Sequence, residues 1–164
     1  MKKNKIWISK KIYQTLLYEA GEFVNFETGG VFMGYYAKNK DVVVTYLIDA
    51  GPNTIHKKSR FTPDQNYQLE RIASIYKETN GAITYLGDWH THPNGKAELS
   101  LLDKRTLTKI AYTPESKNQT PIMMILGKYP EKWTLKAVKF LSGKLLLWPF
   151  LKCQYEDLDI VEYK

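Results

Sequence analysis

Cysteine is nearly absent from this sequence, with Cys153 the single one among 164 residues. A lone thiol cannot close an internal disulfide, and it cannot supply the several thiolates of a structural zinc cage. Any zinc site must therefore use mainly imidazole nitrogens and carboxylate oxygens. Because no disulfide framework is present, we expect a reducing compartment and a cytoplasmic protein.

Long hydrophobic runs are also missing. The longest apolar stretches, residues 121–126 and 145–151, fall far short of the roughly 20 residues that span a bilayer. Residues 1–5 resemble the basic start of a signal peptide, but the apolar run that follows is too short for one. We therefore expect neither a membrane segment nor a secretion signal.

Dense runs of positive charge are absent as well, although the formal net charge is +7. The lysines and arginines are scattered, which is typical of a solvated surface, so a nucleic-acid partner is not indicated. Residues 156–162 are rich in acidic side chains, in contrast to the positive net charge of the whole chain. We expect this segment either to fold back onto the domain or to engage a partner.

The first half of the chain shows clear helix and strand patterns in one continuous domain, residues 1–164, without repeats or linkers. We predict a strand at 6–9, a helix at 10–20, and strands at 31–37 and 42–50 joined by a hairpin at 38–41. Residues 53–60 are predicted to form a polar basic loop with an exposed His56. A further helix is predicted with Thr62 as its N-cap, Pro63 in its first turn and Gln65 closing a capping box, and its buried stripe would contain Leu69, Ile72, Ala73 and Tyr76.

The second half predicts a strand that leads into His90, a helix after Ser100, and strands at 122–126, 133–140 and 144–150. Short turns at 128–131 and 141–143 would join the last three strands. These elements together predict an α/β fold, with a mixed β-sheet flanked by helices.

Two histidines and an aspartate are spaced in the sequence so that all three side chains could bind one metal ion. His90 and His92 are two apart at a predicted strand end, so their imidazoles share a face. Ser100 and Asp103 are three apart at a predicted helix start and share a side. Three protein ligands leave one zinc position for water, whose pKa the metal lowers toward about 7, and this predicts hydrolysis. Glu27, which precedes a glycine pair, is the carboxylate that we assign as the base.

Each of these residues has a simpler interpretation. Two histidines near a strand end often satisfy local hydrogen bonds, and an isolated glutamate such as Glu27 is usually a solvated carboxylate. Ser100 is also a suitable helix N-cap, with Asp103 in the first turn. Asp88 shares the strand face of His90 and could compete as a ligand or support one, whereas Trp89 should point into the core.

The order and spacing of the residues resemble the JAMM metalloprotease motif of the JAB/MPN family, whose elements match Glu27 near Gly29-Gly30, then His90-x-His92-Pro93, and after six residues Ser100-x-x-Asp103. The resemblance implies that His90, His92 and Asp103 bind zinc. It likewise implies Glu27 as general acid/base and Ser100 as oxyanion donor. The implied fold is the JAB/MPN mixed sheet flanked by helices, which is cytidine-deaminase-like.

Flanking residues 51–53, 61–64 and 85–90 look like those of compact bacterial members, some of which belong to CBASS antiphage operons. That likeness implies a deubiquitinase-like isopeptidase or peptidase cleaving after the C-terminal glycine of a ubiquitin-like tail. Its partners would be a ubiquitin-like modifier or a conjugating-enzyme C-terminus, together with a conjugated target such as a cyclic-nucleotide synthase. The alternative is a noncatalytic binding module, stiffened by zinc, for a protein partner or nucleic acid.

Overall fold

A computed structural model of the protein describes residues 3–147 and 150–164. Its elements, in chain order, are β1 (Lys5–Ser9), α1 (Lys10–Glu22), β2 (Gly29–Tyr36), β3 (Val42–Ile48), β4 (Ile55–Lys57), β5 (Arg60–Thr62), α2 (Gln65–Glu78), β6 (Thr84–His92), α3 (Leu101–Tyr112), a 3₁₀ turn (Pro114–Ser116), β7 (Ile122–Lys128), β8 (Trp133–Leu147) and β9 (Phe150–Tyr163). Among these described helices, none combines the length and apolar character needed to cross a membrane.

Seven strands form one closed sheet in the order β1-β3-β2-β6-β7-β8-β9. The pairs β6–β7, β1–β3 and β1–β9 are parallel and the others antiparallel, so the predicted mixed sheet flanked by helices is confirmed. Closure of the sheet was not predicted. It arises because the acidic segment near the C-terminus lies in β9 and pairs with β1, so this segment folds back onto the domain.

The sheet is covered on both faces. One face packs against α1 through Leu16 and Ala20, and the other face packs against α2 through Ile75 and against α3 through Leu107. Strand β7 is buried on both sides, because its alternate residues enter the α1 cluster and the α3 cluster. A strand between two layers should be a continuous apolar run, and residues 122–126 are such a run.

Helix α2 begins later and faces differently than predicted. Its N-cap is Asp64, whose side chain accepts a hydrogen bond from the Tyr67 amide, whereas Thr62 ends β5. The buried stripe contains Gln68 and Ile75, and the predicted Leu69 is 55% exposed. The Gln68 side-chain amide donates to the Asp49 carbonyl at 3.0 Å, which holds this polar residue against the sheet. Of the predicted stripe, Ile72 is partly buried and packs against the cluster of Ile75, whereas Leu69, Ala73 and Tyr76 are exposed.

Two predicted irregular regions are regular in the structure. Part of the predicted loop 53–60 forms an antiparallel hairpin of β4 and β5, hereafter the β4–β5 hairpin. The predicted turn 141–143 lies inside β8, because β9 pairs with it there and a bulge near Ser142 absorbs the irregularity. The predicted strand 144–150 continues β8 to residue 147, and its residues 148–149 lie outside the described part of the chain.

Candidate metal centre

His90, His92 and Asp103 form a cluster in which one ligand atom from each lies within 4.8 Å of the others. The two Nε2 atoms are 2.9 Å apart. Asp103 Oδ1 lies 3.2 Å from His90 Nε2, and its Oδ2 lies 3.7 Å from His92 Nε2. The end of β6 and the start of α3 therefore bring together the three residues that the spacing selected.

The orientation of His92 is set by the loop that follows β6. Its Nδ1 lies 3.0 Å from the Lys96 carbonyl oxygen, which can only accept, so Nδ1 carries the hydrogen. Burial and the neighbouring His90 lower the pKa of His92, which favours the neutral ring. A neutral ring protonated at Nδ1 presents an Nε2 lone pair to the cluster, as a metal ligand requires.

Ser100 and Asp103 form a complete capping box at the start of α3. The Asp103 amide donates to the Ser100 hydroxyl at 3.1 Å, and the Ser100 amide donates to Asp103 Oδ2 at 2.7 Å. Burial raises the pKa of Asp103, but the hydrogen bond and charge of His90 and the bonds from Ser100 outweigh it and lower the pKa to about 2. The cluster therefore contains a permanently anionic oxygen donor at neutral pH.

Glu27 lines the same cavity as the cluster. This cavity, hereafter the central cavity, has a volume of about 270 Å³, and among the described residues its walls include Glu27, His90 and Asp103 but neither His92 nor Ser100. Burial raises the pKa of Glu27 to about 7, with a smaller lowering by His90 and a smaller raising by Asp103. The structure thus brings Glu27 beside the cluster, with a pKa suited to proton transfer near neutrality.

Thr91 connects the Glu27 segment to the histidines. The Thr28 amide donates to the Thr91 hydroxyl at 3.0 Å, and the Thr91 amide donates to the Thr28 carbonyl at 2.9 Å. Thr91 is fully buried and stands between the two histidines in sequence. The sequence analysis missed this residue, although its position two residues after Trp89, and so on the same strand face as a residue expected in the core, was a usable signal.

The glycine pair after Thr28 permits close packing at this point. A Cβ at Gly29 would overlap the Trp89 carbonyl oxygen and the Phe61 ring, and one at Gly30 would overlap the Ile48 carbonyl oxygen. Larger residues would push β2 away from β6 and displace the Glu27 segment from the cluster.

His56 is not the exposed loop residue that was predicted. It lies in the β4–β5 hairpin, where its Nδ1 is 3.0 Å from the Glu27 carbonyl oxygen and its ring stacks on Phe23 at 4.0 Å between centroids. The Glu27 amide donates to the Lys57 carbonyl at 2.8 Å. Because 29 positions separate His56 from Glu27, no local pattern could have predicted the contact.

Asp88 lines the central cavity but does not belong to the three-residue cluster. Its Oδ1 accepts a hydrogen bond from the Tyr85 hydroxyl at 2.6 Å, and burial raises its pKa despite that bond. Its partner in the structure is therefore a phenol. Trp89 is buried as expected, and its indole donates to the Ile48 carbonyl at 3.2 Å.

The geometry combines a cation-binding set with a carboxylate across a small cavity. Two imidazole nitrogens and one carboxylate oxygen converge, so these residues could hold a divalent metal ion. Glu27 lines the same cavity as His90 and Asp103, where it can accept and return a proton.

The fold is similar to a solved one. The solution structure of the protein DSY2949 from Desulfitobacterium hafniense matches with a TM-score of 0.66 at 20% identity, over 97% of this chain and 93% of that chain. At this identity the likeness concerns the fold alone.

Sequence relatives carry the comparison further. The probable metalloprotease y4qB of Sinorhizobium fredii (strain NBRC 101917 / NGR234) is 37% identical over 78% of this chain and 79% of its own length. The CD-NTase/cGAS isopeptidase of Escherichia coli (strain TW11681) is 23% identical over 80% of this chain and 81% of its own. The predicted hydrolase of the metalloprotease class, with a metal-ion site, is confirmed by these relatives together with the His-His-Asp cluster. The family model for prokaryotic homologs of the JAB domain matches residues 9–139, and the chain therefore belongs to this family.

Proposed function

We propose that this protein is a zinc-dependent JAMM-type isopeptidase or peptidase that cleaves after the C-terminal glycine of a ubiquitin-like tail. The observation that carries the proposal is the convergence of Glu27 with His90 and Asp103 on the central cavity, although Glu27 is distant from both in sequence. A metal-binding module without catalysis would not require a further carboxylate in the same cavity, whose pKa burial raises to about 7.

The donor set of His90, His92 and Asp103 fits zinc. Ligand atoms bonded to tetrahedral zinc at about 2.0–2.1 Å stand about 3.3 Å from one another. The two Nε2 atoms are 2.9 Å apart, His90 Nε2 is 3.2 Å from Asp103 Oδ1, and His92 Nε2 is 3.7 Å from Asp103 Oδ2, so both carboxylate oxygens lie at separations close to that value. When bound, zinc would supply Lewis acidity toward the scissile carbonyl and toward water at neutral pH.

Glu27 is assigned as the base and then the acid. Its carboxylate takes a proton from the water whose oxygen attacks the scissile carbonyl carbon. As the carbon–nitrogen bond breaks, Glu27 returns that proton to the departing amine, so the products are a carboxylic acid and an amine, which ionise to a carboxylate and an ammonium group at neutral pH. In the metal-free protein burial raises the pKa of Glu27 to about 7, and a bound zinc ion would lower it again, which favours the ionised base that the first transfer needs.

Ser100 is assigned as the donor to the oxyanion of the tetrahedral intermediate. Its oxygen already accepts the Asp103 amide, and this fixes the side chain beside the cluster while leaving the hydroxyl proton to donate. Because Ser100 is exposed at the start of α3, a substrate must cover it for the bond to form.

We expect the tail to bind as an extended strand. The seven described strands of the main sheet form a closed barrel, so this sheet presents no free edge to which an extended tail could add. The β4–β5 hairpin offers an edge. We place the tail along β5, because Arg60 and Phe61 of this strand line the central cavity, whereas a carbonyl of β4 already accepts a hydrogen bond from the Glu27 amide. A cavity of about 270 Å³ favours glycine at the scissile bond.

The substrate is proposed to be a modified protein. The relative from E. coli is named a CD-NTase/cGAS isopeptidase, which supports a target such as a cyclic-nucleotide synthase in bacterial antiphage defence. The partners would then be a ubiquitin-like modifier or a conjugating-enzyme C-terminus and the protein that carries it. We expect this reaction to take place in the cytoplasm.

The decisive experiment compares Glu27→Gln with the unmodified protein on a ubiquitin-like fusion that has a cleavable C-terminal Gly bond. We expect the variant to bind zinc normally and to lose at least about 100-fold in kcat, because glutamine cannot take a proton. Glu22→Gln is the matched control, since Glu22 is an exposed glutamate at the end of α1.

Unchanged cleavage in Glu27→Gln would refute the assignment of the base. Salt-sensitive nucleic-acid binding by a zinc-loaded protein that cleaves none of the fusions would favour the binding-module alternative.

A further inference from the structure

We infer that His56 is a positioning residue for Glu27: its imidazole anchors the Glu27 backbone and thereby aims the carboxylate at the metal cluster. This inference rests on the proposed function for its effect on catalysis. Its structural part, the anchoring of Glu27, concerns hydrogen bonds that can be measured without any substrate.

The segment that contains Glu27 belongs to neither of its neighbouring elements. It follows α1, which ends at Glu22, and precedes β2, which begins at Gly29. Backbone groups outside helices and strands must find other partners when they are removed from water. For Glu27 both partners come from β4, because its amide donates to the Lys57 carbonyl and its carbonyl faces His56 Nδ1.

The chemistry of this contact explains why histidine suits the position. A carbonyl oxygen can only accept, so His56 must carry its hydrogen on Nδ1. The ring is also held flat against Phe23, with an interplanar angle of 16°. The stacked ring therefore delivers one donor in a fixed direction, which a flexible lysine or arginine would not do.

The β4–β5 hairpin holds the chain on the other side of Glu27 as well. The tip of the Phe61 ring in β5 would overlap a Cβ at Gly29, so the hairpin packs closely on the residue that opens β2. Thr28, the next residue, is fixed by its hydrogen bond to Thr91. The amide and the carbonyl of Glu27 itself are both hydrogen-bonded to the hairpin.

The metal ligands do not depend on this anchor. The Lys96 carbonyl holds His92 and the Ser100 cap holds Asp103, while His90 lies within β6 and pairs with Gly29 of β2. Loss of the His56 donor should therefore shift Glu27 and leave the metal site intact. Displacement of a catalytic group by about 1 Å can reduce the rate by about 100-fold.

The test compares His56→Asn with His56→Leu, two side chains of similar size of which asparagine alone can place an N–H where Nδ1 stands. We expect kcat to fall about 10- to 100-fold in His56→Leu and to stay within about threefold in His56→Asn, with KM and zinc content unchanged in both. His56→Phe, which keeps a ring to stack on Phe23 but has no donor, should behave like His56→Leu. It also replaces that variant if leucine prevents folding.

Amide hydrogen exchange at Glu27 provides a readout that does not need activity. We expect about tenfold faster exchange in His56→Leu than in His56→Asn. Equal kcat losses in the two variants, or wild-type kcat in both donor-less variants, would overturn the inference. If the unmodified protein cleaves no ubiquitin-like fusion, the proposed function fails, and the exchange rates alone decide whether His56 anchors Glu27.

Discussion

The candidate centre has two halves that are built differently. The metal half consists of the end of β6 and the start of α3, and its ligands belong to regular elements with short-range supports such as the Ser100–Asp103 capping box. The proton-transfer half is the irregular segment around Glu27, and its backbone bonds go to Thr91 and to the β4–β5 hairpin.

The two halves differ in the sequence separation between their residues and the hydrogen-bond partners that hold them. Asp103 is fixed by a residue three positions away, whereas Glu27 is fixed by His56, 29 positions away, and its neighbour Thr28 by Thr91, 63 positions away. We therefore expect substitutions in the first half to change metal binding. Substitutions in the second half should change the reaction rate while the metal stays bound.

The largest effect is expected for Asp103→Ala. Loss of the anionic ligand should lower zinc affinity more than about 100-fold, beyond the effect typical of residues that only support a ligand. Cleavage should fall by at least about 1,000-fold at limiting zinc. Competition with a chromogenic chelator measures the affinity. Asp157→Ala is the control, because Asp157 is an exposed partner of Lys136, and equal affinity in both variants would contradict the ligand assignment.

Replacement of Ser100 separates capping from catalysis. Ser100→Gly should lower kcat about 100-fold, as expected for removal of an oxyanion donor, while stability falls by only a few tenths of a kcal/mol. Ser100→Ala should show the same loss of kcat and about 1 kcal/mol lower stability, because alanine does not cap the helix. Steady-state kinetics and urea unfolding check the two quantities. Normal kcat in the glycine variant would leave Ser100 only its capping role.

Thr91→Val tests the connection between the halves. Valine has a similar shape but leaves the buried Thr28 amide without its hydroxyl partner, which costs about 1–3 kcal/mol. We expect kcat to fall about tenfold with zinc content unchanged, and Thr91→Ser to behave like the unmodified protein. A loss of zinc in Thr91→Val would show that the two halves are not separable in this way.

The smallest effect concerns the stability of the metal-free protein. Because the pKa of Glu27 rises from 4.5 to about 7 on folding, the folded protein binds its proton more tightly, and stability falls as the pH rises between these values. Above pH 7 Glu27→Gln should therefore be more stable than the unmodified protein. Solvent screens a half-buried carboxylate, so we expect a gain of about 1 kcal/mol.

Thermal unfolding at pH 5 and pH 8 measures this gain, which should be small at pH 5. Added zinc should remove most of it, since a cation beside Glu27 favours the ionised form. An equal gain at both pH values would mean that the charge of Glu27 is not its cause.

Alternation and capping allowed the metal half to be predicted. His90 and His92 share a face because strand residues two apart do so, and the Ser100–Asp103 capping box follows from helix geometry. The same local rules failed at Thr62, where a nearby Asp64 competed for the N-cap, and at residues 53–60, whose polar composition concealed the β4–β5 hairpin.

The sequence by itself determined which residues could bind a metal, where most strands and helices lie, and that the sheet would be mixed. Only the tertiary structure decided that the acidic segment near the C-terminus closes the sheet against β1, and that His56 and Thr91 hold the chain around Glu27. The physical reason is range. Periodicity and capping act within a few residues, whereas strand pairing and the burial of backbone polar groups join segments whose separation in sequence carries no local signal.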